Sequence, residues 1–442
     1  MTNPGRHPVA RDRMAWALWD CGATGANAIV TTFVFSVYLT SRVGADLPGG
    51  TSATVWLGRA LALAGLTVAV LAPATGVLVD APHRRRVALT AFSAVAVLLA
   101  LAMTGVRPDY RYLVLGLVLL AFFGACGDLA TVPYNAMLRS LSSPATSGRI
   151  SGFGMAAGYF GSVALLLAVY FGLAAGSGPA RGLLRVPVAD GAPERLAVLA
   201  AAIWFTAFAL PLLVWVRPPA EAPGTARGLL GAYRRLAAEV RGEWQRDRNM
   251  VYFLIASAVF RDGLTGIFTF GAVLGVKVYG LSQAHVLLFG VCACTVAAVG
   301  AGLGGLLDDR VGSKPVIVAG LFAMVTIGVV LLCLSGQWAF WVCGLALCLF
   351  IGPIQSASRN LLLRMSIEGK EGVAFGLYTT AGRSVSFLAP WLFAAFIDFF
   401  ASQRAGLGGL CAVLALGLAG LLAVRVPRAA ASGPSVSQSA AH

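Results

Sequence analysis

Runs of predominantly apolar residues long enough to cross a bilayer recur along this chain from end to end, and no other feature constrains its fold so tightly. About 20 such residues in a helix traverse a hydrocarbon core of ~30 Å. Twelve runs are discernible, at 14–41, 54–79, 87–105, 111–138, 150–175, 195–216, 249–276, 283–307, 315–334, 338–363, 372–400 and 406–425. A helix that is apolar all round must lie in a protein core or in lipid, and twelve of them leave too little polar surface for an ordinary water-soluble domain. Composition agrees: 58% of the 442 residues are hydrophobic and 12% are charged, against roughly 25% charged in a soluble domain. The expected fold class is an all-α membrane protein with twelve transmembrane helices.

A formal charge of +15 is tested first against the positive-inside rule. An even number of spans puts both termini on one side, and the segments on that side carry 21 Lys and Arg against 8 on the other. Both termini are therefore expected in the cytoplasm, and nucleic acid is not an expected partner. The first run is too long for a signal peptide and lacks a small-residue cleavage site, so it reads as a span that stays. All eight cysteines fall within predicted spans, where thiols pack as small hydrophobes. Cys292 and Cys294 have no second pair to complete a metal site, and neither a metal nor another cofactor is expected. "VGSKP" lacks the spacing of a phosphate-cradling loop, which leaves a gradient as the energy source.

The chain repeats itself. "GVLVDAPHRR", with Gly76 and Asp80, is answered by "GLLDDRVGSK", with Gly305 and Asp309; "PYNAMLR" at Pro133–Arg139 is answered by "PIQSASR" at Pro353–Arg359. "FRDGLTGIF", with Asp262 and Thr265, echoes the first run's Asp20 and Thr24. Similar offsets in the same order predict two six-helix halves, as duplicated transporters show. The expected organisation is a cytoplasmic tail at 1–13, a first bundle at 14–216, a basic linker at 217–248, a second bundle at 249–426 and a disordered tail at 427–442. Leu229, Tyr233, Leu236, Val240 and Trp244 recur at helical spacing in the linker and fit either an amphipathic helix on the membrane surface or a solvated helical connection.

Charges inside spans cost several kcal/mol and so point to function. On the first run Asp20, Thr24, Asn27 and Thr31 share one helical face. The seventh carries Arg261, Asp262 and Thr265; the fourth Asp128; the tenth Gln355; the eleventh Arg383. A carboxyl group in a partly dry cavity holds its proton at a higher pH than in water, which suits it to loading and unloading protons. Asp20, Asp128 and Asp262 are the proton-coupling candidates. Asn27, Thr31, Arg261, Thr265, Gln355 and Arg383 are the substrate-binding candidates, with Arg383 placed to grip a substrate carboxylate bidentately. The alternative is that Arg261 or Arg383 pairs permanently with an aspartate as a helix staple.

The repeated loop motif resembles the G-x-x-x-D-R-x-G-[R/K] signature of the major facilitator superfamily. Gly305, Asp309, Arg310, Gly312 and Lys314 match it, while the first copy keeps Gly76, Asp80 and the basic run Arg84–Arg86 but has Ala81 and His83 in place of Arg and Gly. "WALWDCGATGANAIVTTFVFSVYLT", "YNAMLRSLSSPATSGRISGFGMAAGYFGS", "FRDGLTGIFTFGA" and "GPIQSASRNLLLRM" together resemble the vacuolar amino-acid effluxer-like family, whose bacterial members are mostly unknown major facilitators. Cys21-Gly22 and Arg139-Ser140 depart from its usual residues. The resemblance implies two pseudo-symmetric six-helix bundles that rock against each other, with Asp80, Arg139, Asp309, Arg310 and Arg359 forming the cytoplasmic gate.

The implied function is proton-coupled secondary transport of a small polar solute, an exported amino acid being favoured by the likeness. The alternatives are efflux of amphipathic drug or lipid-like compounds, and a non-transporting sensor with a transporter fold. An intramembrane aspartyl protease would want Tyr-Asp and G-x-G-D, where this chain has Trp19-Asp20 and Ala125-Cys126-Gly127-Asp128. Expected partners are the solute, a coupling H+ and membrane lipids, with the chain a monomer in a bacterial cell membrane.

Overall fold

The computed structural model describes residues 10–48, 52–176, 180–215 and 248–425. The expected linker, except Arg248, and the expected tail lie outside the described residues. Twelve helices long and apolar enough to span a membrane are present among the described residues, one for each predicted run: α1 (Ala10–Val43), α2 (Ala53–Val79), α3 (Pro82–Met103), α4 (Leu113–Ala136), α5 (Ser147–Val169), α6 (Ala192–Trp215), α7 (Arg248–Lys277), α8 (Gln283–Val311), α9 (Ser313–Cys333), α10 (Gln337–Met365), α11 (Glu371–Phe400) and α12 (Ala405–Ala423). They form two bundles of six.

Within the first bundle α1 packs against α5 and α6, and α4 against α2 and α3; within the second, α7 packs against α12 and α11, and α10 against α8 and α9. The bundles meet along α2 with α11 and α5 with α8, and the two contacts exchange under the sixfold shift in helix number that relates the halves. Small residues permit this approach. A Cβ on Gly152 of α5 would sit 2.5 Å from the carbonyl of Ala301 on α8, and one on Gly76 of α2 would strike the carbonyl of Gly372 on α11.

The turns α2–α3 and α8–α9 lie on the face that carries the start of the chain, here called the motif face. The second copy turns on the single residue Gly312, whose φ of 93° is a region that favours glycine. The first copy instead passes through Ala81 in extended conformation into Pro82 at the start of α3, so the residues that depart from the signature serve a turn that needs no left-handed glycine.

Two spans are irregular. α1 winds as a π-helix over Ala28–Phe33 and again over Leu39–Val43. α11 is two helices, Glu371–Val385 and Leu388–Phe400, parted at Ser386–Phe387, where the Ser386 hydroxyl donates back to the Arg383 carbonyl at 2.9 Å.

Candidate functional site

The halves are tied together by polar bonds that run from the motif face to about the middle of the spans. At the face itself, Asp309 at the end of α8 accepts the backbone N–H groups of Gly148 (2.7 Å) and Arg149 (3.1 Å), with the Arg149 guanidinium 3.3 Å away. A carboxylate from one half thus caps the N-terminus of α5 in the other, where free N–H groups and the helix dipole favour an anion. Asp80 does the same in mirror fashion, accepting the N–H of Val373 in the first turn of α11 at 3.1 Å. The family likeness implies arginine partners for these aspartates; main-chain N–H groups are partners at both.

Glu371, the first residue of α11, is the charge that sequence reasoning missed. Buried to 2% exposure, it meets Arg85 of α3 at 2.8 Å and Arg139 at 2.5 Å. Arg139 lies on a short helix, Leu138–Leu141, beyond α4 and also donates to the Leu363 carbonyl and to Ser366. Arg310 is exposed, so of the five expected gate residues it is the one not drawn into this interface. Asp308, the residue before Asp309, was also missed. One residue round the helix from Asp309, it points into its own bundle and accepts from Ser313 and Asn360, with Arg364 at 3.3 Å.

Arg359 of α10 reaches furthest across. Its Nε and Nη2 donate to Ser151 of α5 (3.1 and 2.7 Å), Nη1 donates to Asn135 of α4 (3.1 Å), and Nη1 lies 3.8 Å from Oδ2 of Asp20 on α1. The guanidinium lies over the rings of Trp16 and Tyr134, centroid distances 5.2 and 5.9 Å. Tyr134 is itself stacked between Trp16 and Trp19 at 4.5 Å from each, which fixes this wall. Asp20 Oδ1 accepts from Thr24 at 3.1 Å, whereas Oδ2 and the Tyr134 hydroxyl are buried with no hydrogen-bond partner among the described residues. Arg139 and Arg359, the paired arginines of the sequence repeat, therefore each cross into the opposite half.

Beyond this layer Asp128 of α4 is ion-paired with Arg383 of α11, the Asp128 side chain 26% and the Arg383 side chain 40% exposed. Arg261 lies over the Tyr378 ring at 3.8 Å and donates to the Tyr378 carbonyl at 3.2 Å. Asp262 turns away from that group: its carboxylate accepts the N–H of Ala389 at 2.6 Å, at the start of the second piece of α11. Asn27 and Thr265 are exposed, Gln355 is half-buried, and the Thr31 hydroxyl, in the π-helical stretch of α1, is buried with no hydrogen-bond partner among the described residues. Charged side chains partly exposed at this depth, Arg383 and Asp128, call for a wet space between the bundles, since lipid would not tolerate them. On the face opposite the motif face the bonds stay within one half, as in Arg42 with Glu194 and Tyr279 with the Leu331 carbonyl.

Known proteins resemble the chain in sequence and in fold. The curated relatives include an uncharacterized MFS-type transporter, YxiO, from Bacillus subtilis (strain 168), 22% identical over 86% of this chain and 87% of that one. Autophagy-related protein 22 of Yarrowia lipolytica is 23% identical over 57% of this chain and 46% of its own length. Among solved structures, the fucose:proton symporter FucP of E. coli superposes with a TM-score of 0.71 at 12% identity, covering 96% of this chain and 100% of that one. The proton:xylose symporter XylE gives 0.72 at 14% identity, with 94% of each chain covered. The family described as "Vacuole effluxer Atg22 like" matches residues 50–433. The chain is an integral, multi-pass membrane protein of the major facilitator fold and belongs to the Atg22-like vacuole effluxer family of transporters.

Proposed function

We propose that this protein exports a small polar solute, of the amino-acid class implied by the family likeness, across a bacterial cell membrane by alternating access, and that Asp20 couples the movement to protons. The effluxer description of the family and the proton coupling named for FucP and XylE support the reading. The excess of basic residues on the motif side supports a cytoplasmic motif face. The bonded gate then closes the cytoplasmic side, and the wet space opens outward.

The observation that carries the proposal is the Asp20–Arg359 pair. It joins the bundles about 15 Å along α1 from Ala10, at 1.5 Å per residue, and one Asp20 oxygen is buried with no hydrogen bond among the described residues, its ion pair being with the guanidinium. A proton on Asp20 removes the countercharge that holds Arg359 in the first bundle. Removing one partner of a buried pair costs about 3–5 kcal/mol, close to the ~5.5 kcal/mol that moves a two-state equilibrium from 1:99 to 99:1. One proton therefore weakens the closed gate, which the Glu371, Asp309 and Asp80 bonds also hold.

The test uses purified protein in vesicles enclosing a pH dye, challenged with amino acids, sugars and nucleosides in turn. At least one amino acid should move protons with the wild type and none with Asp20→Asn. Proton movement that survives Asp20→Asn, or that no solute elicits, overturns the proposal.

A further inference from the structure

We infer that Arg383 and Arg261 form a binding site for an anionic group, carboxylate or phosphate, on the transported solute, and that Asp128 occupies this site while the solute is absent. The inference rests on the transport reading above and specifies the chemistry of its cargo.

Three charged groups meet between α4, α7 and α11, and they do not balance. Asp128 is the sole carboxylate bonded to this group among the described residues, and Arg383 is ion-paired with it. Arg261 lies close enough for its charge to act on the same carboxylate. A Cβ on Gly382, the neighbour of Arg383, would come within 3.2 Å of Arg261 Nη1. The bonded partners of Arg261 are neutral, namely the ring face and carbonyl of Tyr378, while the adjacent Asp262 spends its carboxylate on Ala389. The local sum is two guanidiniums against one carboxylate, which is the charge pattern of a site awaiting an anion.

Position makes the site reachable. Arg383 lies about 18 Å along α11 from Glu371 and is still 40% exposed, so it faces the wet space and not a sealed interior. The pair it makes with Asp128 spans the two halves. A solute anion that takes Arg383 displaces Asp128, gains Arg261 as a second donor and unties one bond between the bundles. Tyr378 extends the consequence, because its hydroxyl shares a 2.8 Å hydrogen bond with Ser358, the residue before Arg359. Occupation of the anion site therefore acts on a side chain one position from the gate.

The experiment measures binding to the full-length protein in nanodiscs at one pH with no gradient, using lactate against lactamide and glycerol 3-phosphate against glycerol. At least one anion should raise the melting temperature while its neutral counterpart does not, and which anion does so separates carboxylate from phosphate. Asp128→Asn removes the internal competitor and should tighten binding of that anion by about tenfold or more, whereas Arg261→Gln should weaken it by about tenfold, as loss of a charge-assisted bond does. Asp128→Ser serves if Asp128→Asn does not fold. Equal binding of the neutral partner, weaker binding in the Asp128 variants, or no anion binding to any of these proteins overturns the inference. Because no gradient is present, such a failure leaves the Asp20 proposal standing. Intact anion binding with unaltered proton flux in Asp20→Asn overturns that proposal alone.

Discussion

Nη2 of Arg85 lies 2.8 Å from Oε2 of Glu371, and this pair fastens the start of α3 to the start of α11. Arg139 shares the carboxylate, so one buried anion holds two guanidiniums from the opposite half. Glu371→Gln leaves both cations without their countercharge, and about 3–5 kcal/mol should be lost from the closed arrangement. The expected outcome is a motif face that opens. In a cysteine-depleted background, a thiol placed by Ser356→Cys, buried at the same interface, should react with an impermeant reagent at least ~10-fold faster in the Glu371→Gln protein. An unchanged rate would show that Glu371 does not hold the gate.

The Asp20–Arg359 pair makes a separate prediction about stability. Each single change, Asp20→Asn or Arg359→Gln, strands the other charge among aromatic rings and should lower the melting temperature. The double variant strands neither. Their non-additivity should amount to about 0.5–3 kcal/mol in favour of the double variant. Strict additivity in thermal unfolding means that the two groups do not interact, whatever their 3.8 Å separation.

How much of this was legible in the sequence depends on what each residue's partner is. Spans were readable because apolar length alone decides them, and the twelve runs became twelve helices. The paired arginines were readable because repetition placed Arg139 and Arg359 in register. Glu371 was not, since it stands in "EGKEG" beside charges that look like an ordinary solvated loop, and only the approach of α3 and the chain beyond α4 buries it. Asp308 was hidden by Asp309: the two share a motif, but successive helical residues point about 100° apart, one into its own bundle and one across. The break in α11 was marked by Pro390, which cannot donate to the Ser386 carbonyl four residues before it, a signal the sequence reading passed over. The Ser386 hydroxyl and a carboxylate from α7 then satisfy the backbone groups at the break, and only the second of these contacts is one that sequence spacing does not encode.

That carboxylate belongs to Asp262, which the sequence groups with Asp20 and Asp128 as a proton-coupling candidate. In the structure it caps the helix Leu388–Phe400 through Ala389. Asp262→Ala should therefore destabilise the protein by about 1–2 kcal/mol, as loss of a cap does. Asp262→Asn keeps an oxygen acceptor and should lose less, with proton flux retained. Abolished flux in a stably folded Asp262→Asn protein would return this residue to the coupling set and reject the capping role.

The glycine contact between the bundles gives a prediction independent of charge. A Cβ at position 152 would lie 2.5 Å from the Ala301 carbonyl oxygen and 2.8 Å from the Gly305 Cα, neither of which is a flexible side-chain tip. Gly152→Ala should thus penalise the closed motif face by the ~1–3 kcal/mol typical of overpacking, a roughly 5- to 150-fold shift in population. Gly124 is the matched control, since nothing lies within 4 Å of a Cβ built there. Spin labels at Ser143 and Arg310, exposed on the motif face in opposite halves, should report a longer distance in Gly152→Ala and an unchanged one in Gly124→Ala. A wild-type distance distribution in Gly152→Ala would mean that α5 and α8 can part slightly without opening the gate, and the rigid contact between the halves would have to be abandoned as the element that rocks.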